Sequence, residues 1–261
     1  MKINRVIALI YYDMLVFSRA KWRVMEMFYF PITTVVMWGL FSSYMKSFAA
    51  EAGLIVLVLN IFWNFASVAQ SNTNMQIMDD SWSGSIKQLL ISGIKESEYI
   101  FARIISTTAI SVALLALMLS VSLYMFDLRV IFEKPAASAM LFLSTLVASI
   151  AMSVIIAAFI ITAGKEYGFL SWTMLQIFIL LSAPFYPVSV FPDWLQPITT
   201  LMPYTATFEN ARALASGSAI DNGLLAQGLL ISVSYLALSL PAYFYAFKRA
   251  RKTGYLVKFG S

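Results

Sequence analysis

The sequence predicts an all-α integral membrane protein with six transmembrane helices, an N-terminal interfacial amphipathic helix and a re-entrant helical hairpin between spans five and six. Its 261 residues are 60% hydrophobic and 12% charged, with a mean hydropathy of +0.79, a composition that excludes an ordinary soluble domain. A helix needs ~20 apolar residues to cross ~30 Å of hydrocarbon. Apolar stretches near or above that length lie roughly at residues 28–46, 54–74, 100–126, 138–163, 168–190 and 224–247. Five of the eight prolines fall between residues 183 and 223, where they interrupt the chain before the last span.

The first 25 residues predict a helix that lies along the cytoplasmic surface of the membrane. Apolar residues recur there at intervals of three and four, while the charged residues take other positions. The apolar positions are Val6, Leu9, Ile10, Met14 and Phe17. Such a stripe can be buried among acyl chains. The alternative is a pre-membrane segment whose stripe packs on its own protein.

The distribution of basic residues predicts that both termini are cytoplasmic. With six spans and the N-terminus inside, only four of the 18 Lys and Arg residues fall in outside segments. These four are Lys46, Arg129, Lys134 and Arg212. Because Lys and Arg are retained on the cytoplasmic side, this bias sets the orientation. It also accounts for the net charge of +5 without a nucleic-acid partner.

Span two carries a polar face, composed of Asn60, Asn64, Ser67, Ser71 and Asn74. The steps of four, three, four and three place these side chains on one side of a helix. An unpaired amide in hydrocarbon is costly, so we expect the polar face to look at other helices or at water. Two compatible interpretations stay open: interhelical hydrogen bonding, worth about 0.6 kcal/mol per contact, and one wall of a translocation path.

Residues 79–98, between spans two and three, predict a cytoplasmic loop with a short amphipathic helix. Polar and turn-forming residues bracket an apolar segment from Ile86 to Ile91, and Gly93 is a typical helix stop. The pair Leu89 and Leu90 is expected to be exposed and to require a partner surface. The alternative partner is the lipid surface itself.

Residues 183–223, called the external loop below, combine the clustered prolines with many aromatic residues. The aromatic residues are Phe185, Tyr186, Phe191, Trp194, Tyr204 and Phe208. Apolar pieces at Trp194–Met202 and Thr205–Ala215 are too short to span, so they predict half-helices that re-enter or lie at the interface, with Trp and Tyr at headgroup depth. Glu209 and Arg212, three residues apart, can pair on one helical face.

Several kinds of chemistry are missing from the sequence. Cysteine and histidine are absent, which excludes disulfides, thiolate metal sites and a Ser–His protease. Gly164-Lys165 and Gly93-Ile94-Lys95 lack the spacing of a phosphate-binding loop. The predicted spans contain no pair of carboxylates of the kind that relays protons in ion-coupled carriers. We therefore expect no catalytic residues, no metal site and no cofactor bound by this chain.

Taken together, these features resemble the membrane subunit (permease) of an ABC-2-type ABC exporter. Gly84-Ser85-Ile86-Lys87-Gln88-Leu89-Leu90-Ile91-Ser92-Gly93 is similar to the coupling segment of that family, G-T-L-E-x-L-L-x-S-P. Lys87 replaces the usual Glu, and Gly93 replaces the usual Pro. The segment from Phe191 to Thr205, FPDWLQPITTLMPYT, is similar to the family's external segment, L-P-x-W-L-Q-P-I…L-P-L-T.

The resemblance implies a plasma-membrane exporter that pairs as a homodimer and docks two copies of a separate ABC ATPase, which binds ATP and Mg. The docking residues would be Ser85, Ile86, Lys87, Gln88, Leu89, Leu90, Ile91, Ser92 and Gly93. The polar face would line the path, and the external loop, including Phe185, Tyr186, Phe191, Trp194, Tyr204, Phe208 and Glu209, would form an external gate. Residues 1–25 would be the interfacial helix, 26–250 the six-span domain and 251–261 a cytoplasmic tail. An ion-coupled secondary carrier or small channel, and a membrane scaffold, are the alternatives. An amphipathic, drug-like or lipid- or glycan-linked solute is the expected cargo.

Overall fold

The computed structural model describes residues 2–163 and 170–252, and in these ranges every regular element is a helix. Two long helices follow the N-terminal one, and shorter helices lie between the remaining long ones. In chain order they are α1 (Ile3–Arg19), α2 (Lys21–Met45), α3 (Ala50–Trp82), α4 (Ser85–Ile91), α5 (Glu96–Phe126), α6 (Val130–Glu133), α7 (Pro135–Ala163), α8 (Leu170–Leu181), α9 (Gln196–Thr200), α10 (Thr205–Ala215) and α11 (Asn222–Lys252). A single 3₁₀ turn, Val188–Val190, lies between α8 and α9.

Four helices of the described chain, α3, α5, α7 and α11, are long and apolar enough to cross a membrane. They confirm the predicted spans two, three, four and six as helices, although α3 is longer than predicted. Its 33 residues extend to about 50 Å at 1.5 Å per residue, well beyond the hydrocarbon thickness. α2, which mixes Tyr, Thr, Ser and Pro with its apolar residues, and α8 are not among the four.

The predicted fifth span, 168–190, differs most from the structure. The described part of α8 has 12 residues and ends at Leu181, nine residues before the predicted boundary. Ala183 then takes a left-handed conformation, with φ of 53°. Pro184 and Pro187 follow, and a proline disfavours helical dihedrals in the residue before it. The chain therefore leaves the helix where the apolar pattern continues.

α3 lies at the centre of the bundle, where it contacts α2, α5, α7 and α10, while α11 packs along α7. The larger core surrounds Phe62 and Phe65, whose rings lie 4.3 and 5.6 Å from that of Phe142 on α7. A smaller core lies near the other end of α3, around Ile77, with Tyr99 and Tyr243. The bundle thus has one end that carries α1 and α4, called the α4 end, and an opposite end that carries α9 and α10.

Glycines allow two of the helix contacts to be close. A Cβ atom placed on Gly228 of α11 would lie 2.3 Å from the Cβ of Ala206 on α10, and one on Gly39 of α2 would lie 2.1 Å from the ring of Phe126 on α5. Separations this short are repulsive. A side chain at Gly228 would therefore require α10 and α11 to separate, because the Cβ of Ala206 cannot rotate away, whereas one at Gly39 would require the ring of Phe126 to move.

α1 packs on its own protein as well as presenting an apolar surface. Val6 and Leu9 are buried against Ala102 of α5, so this half of the predicted stripe follows the alternative interpretation. A second apolar row, Ile3, Ile7 and Tyr11, is 57–68% exposed. α1 ends at Arg19, and the non-helical Ala20 (φ −86°, ψ 66°) separates it from α2.

Candidate functional site

α4 forms where the sequence predicts a short helix, and glycines delimit it on both sides. Gly84, with φ of 70°, precedes the helix, and Gly93, with φ of 75°, follows it. Left-handed dihedrals are strained for other residues, so these glycines allow two sharp changes of chain direction. Ser85 Oγ donates to Asp80 Oδ1 over 2.8 Å, which holds the first residue of α4 against the end of α3.

The outward side of α4 differs from the prediction. Leu89 is half-buried and packs against Val6, Leu9 and Ala102, so the expectation that it is exposed is wrong; α1 covers it. Gln88 is exposed, and Ile91 is 87% exposed. The side chains of Ile86, Lys87 and Leu90 lie outside the described residues. The accessible apolar side chain described on α4 is therefore Ile91 rather than Leu89.

The C-terminal side of α4 is attached to α1. Arg5 Nη1 donates to the carbonyl oxygen of Gly93, directly after α4. The same guanidinium lies 3.6 Å from the carboxylate of Glu98 in the first turn of α5. Glu98 also accepts hydrogen bonds from the backbone N–H groups of Lys2, at 2.6 Å, and Lys95, at 3.1 Å. The buried carboxylate of Glu98 therefore holds the start of α1 against the end of the loop between α4 and α5.

A second buried ionic group lies one turn further into the bundle. Arg103 of α5 pairs with Asp13 of α1 and with Asp80 of α3, and all three residues are at most 4% exposed. Tyr99 donates to Asp80 Oδ2 over 2.6 Å, and its ring centroid is 4.9 Å from the guanidinium carbon of Arg103. We call Asp13, Asp80, Tyr99 and Arg103 the Arg103 cluster. It is surrounded by low-dielectric packing, so each charge depends on its partners.

Sequence reasoning missed this cluster, although one signal was present. Asp13 interrupts the apolar run of the N-terminal helix, and Arg103 interrupts the start of span three. Each charge alone is compatible with the membrane–water interface. The structure pairs them across 90 residues of sequence. A cavity of about 30 Å³ borders the cluster.

The polar face of α3 is turned into the protein. Asn60, Asn64 and Asn74 are at most 2% exposed, and Thr34 of α2 donates to Asn64 Oδ1 over 3.1 Å. Asn64 Nδ2 in turn donates to both oxygens of Asn60, at 2.9 and 3.0 Å. These contacts follow the interhelical hydrogen-bonding interpretation for Asn64.

The remainder of the polar face is less fully bonded. Ser71 Oγ donates to the carbonyl oxygen of Ser67 over 2.6 Å, within α3 itself. Neither amide atom of Asn74 meets a hydrogen-bond partner among the described residues. A buried amide without a hydrogen-bond partner is costly in an apolar core. The amide of Asn74 can therefore still donate to and accept from a polar group that enters this half of the polar face.

At the opposite end of the bundle, Phe185 of the external loop enters a slot between two tryptophans. Its ring is stacked on Trp38 of α2, with 5.8 Å between centroids, and lies edge-on to Trp63 of α3 at 6.1 Å. Tyr186 contacts Phe191 edge-to-face at 5.3 Å. The slot joins the external loop to the two helices that also meet at Thr34 and Asn64.

The aromatic residues of the external loop separate into two groups. Trp194 is 72% exposed, as expected for a side chain at headgroup depth. Tyr204 and Phe208 are fully buried in the larger core, so their side chains contact the protein and not lipid headgroups. The reason is that α10 packs against α3 and α7, and Tyr204 donates to Ser149 of α7 over 3.3 Å.

The predicted pair of Glu209 and Arg212 is confirmed, with 2.7 Å between Arg212 Nη1 and Glu209 Oε2. The structure adds what the pair does. Arg212 Nη2 donates to the carbonyl oxygens of Ala183 and Tyr186, at 3.0 and 2.8 Å, and Glu209 accepts from the N–H of Val188 at 3.0 Å. α10 therefore holds the segment that carries Phe185. The predicted helix Thr205–Ala215 has the observed bounds.

None of the described residues form a group of acidic side chains that could hold a metal ion.

Comparison with known proteins identifies the family of the chain. A family model described as "ABC-2 type transporter" matches residues 6–215, from α1 to the end of α10. No curated protein matches the chain.

Proposed function

The chain belongs to the ABC-2 type transporter family, a family of transmembrane permeases, and from this premise we propose that it exports a solute with ATP hydrolysed by a separate ABC ATPase. Permeases of this family generally work with such a subunit. The observation that carries the proposal is α4: a short helix, held at both ends by hydrogen bonds to Asp80 of α3 and Arg5 of α1, that exposes Ile91.

α4 is the proposed docking element for the ATPase. An exposed apolar side chain on a rigid, short helix suits a groove on a partner, because the helix does not have to be ordered on binding. ATP and Mg would be bound by the partner, in two copies, on a homodimer of this chain. Residues Ser85–Gly93 are the proposed contact, with Leu89 serving to fix α4 on α1 rather than to touch the partner.

The polar face and the external loop are the proposed path and gate. Asn60 and Asn74 retain buried amide atoms without partners in the described chain, which suits a polar group that passes. At the α10 end of the bundle, Phe185 fills the slot between Trp38 and Trp63 and would close the proposed path there. A path that is partly polar inside and aromatic at its exit fits an amphipathic, drug-like or lipid- or glycan-linked cargo.

The proposed placement puts α4 and both termini in the cytoplasm of a cell bounded by the plasma membrane. α1 would lie at the inner interface, with Ile3, Ile7 and Tyr11 among the lipids and Val6 and Leu9 on α5. Residues 26–250 form the proposed transport domain and 251–261 the cytoplasmic tail. The external loop would face the outer leaflet, where the exposed Trp194 suits the headgroup region.

A substitution on α4 tests the proposal. Ile91→Ser removes the exposed apolar side chain, and burying one such side chain contributes about 1.5–3 kcal/mol. We therefore expect affinity for the ATPase to fall about ten- to hundredfold. The measurement is recovery of an ABC ATPase, identified by its sequence and its ATP hydrolysis, with the tagged chain from native membranes.

The matched control is Leu201→Ser, which removes a 58% exposed apolar side chain at the opposite end of the bundle. It should leave recovery of the ATPase unchanged. Equal recovery with Ile91→Ser and the parent would show that α4 is not the docking element. If the parent chain recovers no ATPase and instead moves solute with an ion gradient, the carrier alternative replaces the proposal.

A further inference from the structure

Both ends of α4 are connected to α1, although these helices are more than 60 residues apart in sequence. At the C-terminal side, Arg5 reaches the carbonyl oxygen of Gly93 directly. At the N-terminal side, the connection runs through side chains: Ser85 donates to Asp80, Asp80 pairs with Arg103, and Arg103 pairs with Asp13. Leu89 packs on Val6 and Leu9 between these two points. The two helices are therefore connected in three ways: by one direct hydrogen bond, by one apolar contact and by one chain of side-chain interactions.

Arg103 is the branch point of the N-terminal connection. Its two terminal nitrogens bond different helices, Nη1 to Asp13 of α1 and Nη2 to Asp80 of α3, while its backbone belongs to α5. A guanidinium can bond two carboxylates at once because its donors point in fixed directions. Loss of either carboxylate leaves one of these nitrogens without its buried ionic partner, so the connection between the helices depends on both.

α1 is well placed to pass a displacement onward. Its last residue is followed by the non-helical Ala20, after which α2 begins. α2 carries Thr34, which bonds the polar face at Asn64, and Trp38, which stacks on Phe185. A displacement of α1 would thus reach the polar face and the slot through one helix.

We propose that Asp13 is a positioning residue that joins α1 to α4 through Arg103 and Asp80, so that α1 and α4 move as one body and displace α2. The inference rests on the proposed function, because it assigns the route by which a docked ATPase acts on the path. It makes Asp13 a coupling residue that touches neither the ATPase nor the solute. The same residue would otherwise be only a stabilising buried charge.

The first experiment measures the connection itself, without any partner. The chain has no cysteine, so spin labels can be placed uniquely at Tyr11→Cys on α1 and Ile91→Cys on α4, both exposed positions. The labelled chain is diluted with excess unlabelled chain, so that a homodimer carries at most one labelled protomer. Electron paramagnetic resonance should then give one narrow distance distribution in the purified permease. Asp13→Asn, close in shape and uncharged, should broaden it. An unchanged distribution in Asp13→Asn would overturn the inference, whatever transport does.

The matched control is Thr73→Val, which removes a buried hydrogen bond of 2.8 Å between Thr73 of α3 and Thr107 of α5. This bond joins two of the same helices but touches neither α1 nor α4. The distribution should stay narrow. If Thr73→Val broadens it as much as Asp13→Asn does, general loosening explains the result and the specific role of Asp13 is contradicted.

The second experiment uses the complex with its ATPase. Asp13→Asn should leave ATPase recovery within twofold of the parent but lower solute transported per ATP at least tenfold. Cysteines at Leu9 and Ala102, which pack together, can then be joined in the Asp13→Asn chain by a thiol cross-linker. The cross-link should restore transport per ATP, because it replaces the missing connection between α1 and α5. Failure of restoration, or parent-like coupling before cross-linking, contradicts the inference.

The two experiments separate the inference from the proposed function. A parent chain that recovers no ATPase and transports nothing with ATP refutes the proposed function, while the spin-label distances still decide whether Asp13 holds α1 to α4. If Asp13→Asn does not fold, Arg103→Lys provides the second variant. It keeps the charge but loses the two-sided geometry, and it should also broaden the distance distribution.

Discussion

Close packing and backbone conformation explain why particular residues occupy particular positions in the bundle. Gly228 and Ala206 show this at the crossing of α11 and α10, where no side chain larger than hydrogen fits on α11. Ala183 shows the opposite case, because a non-glycine residue is kept at φ of 53° while Arg212 bonds its carbonyl oxygen. Alanine rarely adopts left-handed dihedrals because its Cβ approaches the following carbonyl oxygen. The hydrogen bond from Arg212 therefore helps to hold Ala183 in a strained conformation.

At residue scale, we predict that Gly228→Ala lowers the stability of the permease by about 1–3 kcal/mol, the usual cost of overpacking. The helix propensity of alanine alone would change stability in the other direction by about 1 kcal/mol. The sign of the change therefore separates the two effects. Thermal unfolding in detergent measures it.

The reciprocal substitution controls this prediction. Ala206→Gly combined with Gly228→Ala moves the methyl group from α10 to α11 and should recover most of the lost stability. An increase in the unfolding temperature with Gly228→Ala alone would mean that the two helices separate easily at this crossing.

At the scale of elements, α10 is the helix that organises the α10 end of the bundle. Its buried side chains fill the core beside α3, and its polar side chains hold both neighbouring segments. Asn210 Oδ1 accepts from the N–H of Asp221 at 2.8 Å, ahead of α11, while Glu209 and Arg212 hold the segment after α8. A half-helix too short to span is thereby fixed on both sides.

We predict that Arg212→Gln releases the segment that carries Phe185. The substitution removes a charged donor from two carbonyl oxygens, but the Gln amide can still donate to one of them. The net loss is therefore about one hydrogen bond to a charged group, which contributes about 1.5–3 kcal/mol when shielded. Local opening should therefore become about ten- to hundredfold more frequent. Maleimide labelling of a Val188→Cys chain, which has no other thiol, reports that opening as a faster rate.

Two comparisons test the assignment to Arg212. Arg212→Lys keeps the charge without the planar fork and should label at an intermediate rate. Lys134→Gln removes an exposed hydrogen bond to Ser218, at 3.1 Å, and should label like the parent. Parent-like labelling of Arg212→Gln would assign the segment's position to the aromatic slot alone.

At the scale of the whole molecule, basic residues and polar connections divide the bundle into two unlike ends. The α4 end gathers Arg5, Lys95 and the last turn of α11 with Arg249, Arg251 and Lys252. The α10 end has few basic residues and exposes Trp194 and Leu201. Such asymmetry sets the orientation of a multi-pass protein in its membrane.

We therefore predict that single cysteines at Lys134 and Asp221 react with a membrane-impermeant maleimide on intact cells, whereas cysteines at Lys2 and Lys252 react only after permeabilisation. All four positions should label once the membrane is opened, which controls for burial. Reversed labelling would place α4 outside the cell and would remove the basis for ATPase docking there.

The sequence by itself determined the elements whose signals are local. Apolar length marked α3, α5, α7 and α11, a three-residue spacing marked the pair of Glu209 and Arg212, and Gly93 marked the end of α4. Each of these follows from a few neighbouring residues, because helix formation, capping and one-turn side-chain pairs depend on local geometry.

The tertiary structure alone decided which side chains share a buried environment. Asp13, Asp80 and Arg103 come from three helices, Leu89 is covered by α1, and the side chain of Tyr204 lies in the protein core. A charge near a helix end is equally compatible with water, lipid headgroups or a buried partner. The choice among these depends on how helices far apart in sequence pack, and packing supplies both the partner and the low-dielectric surroundings that make the pairing strong.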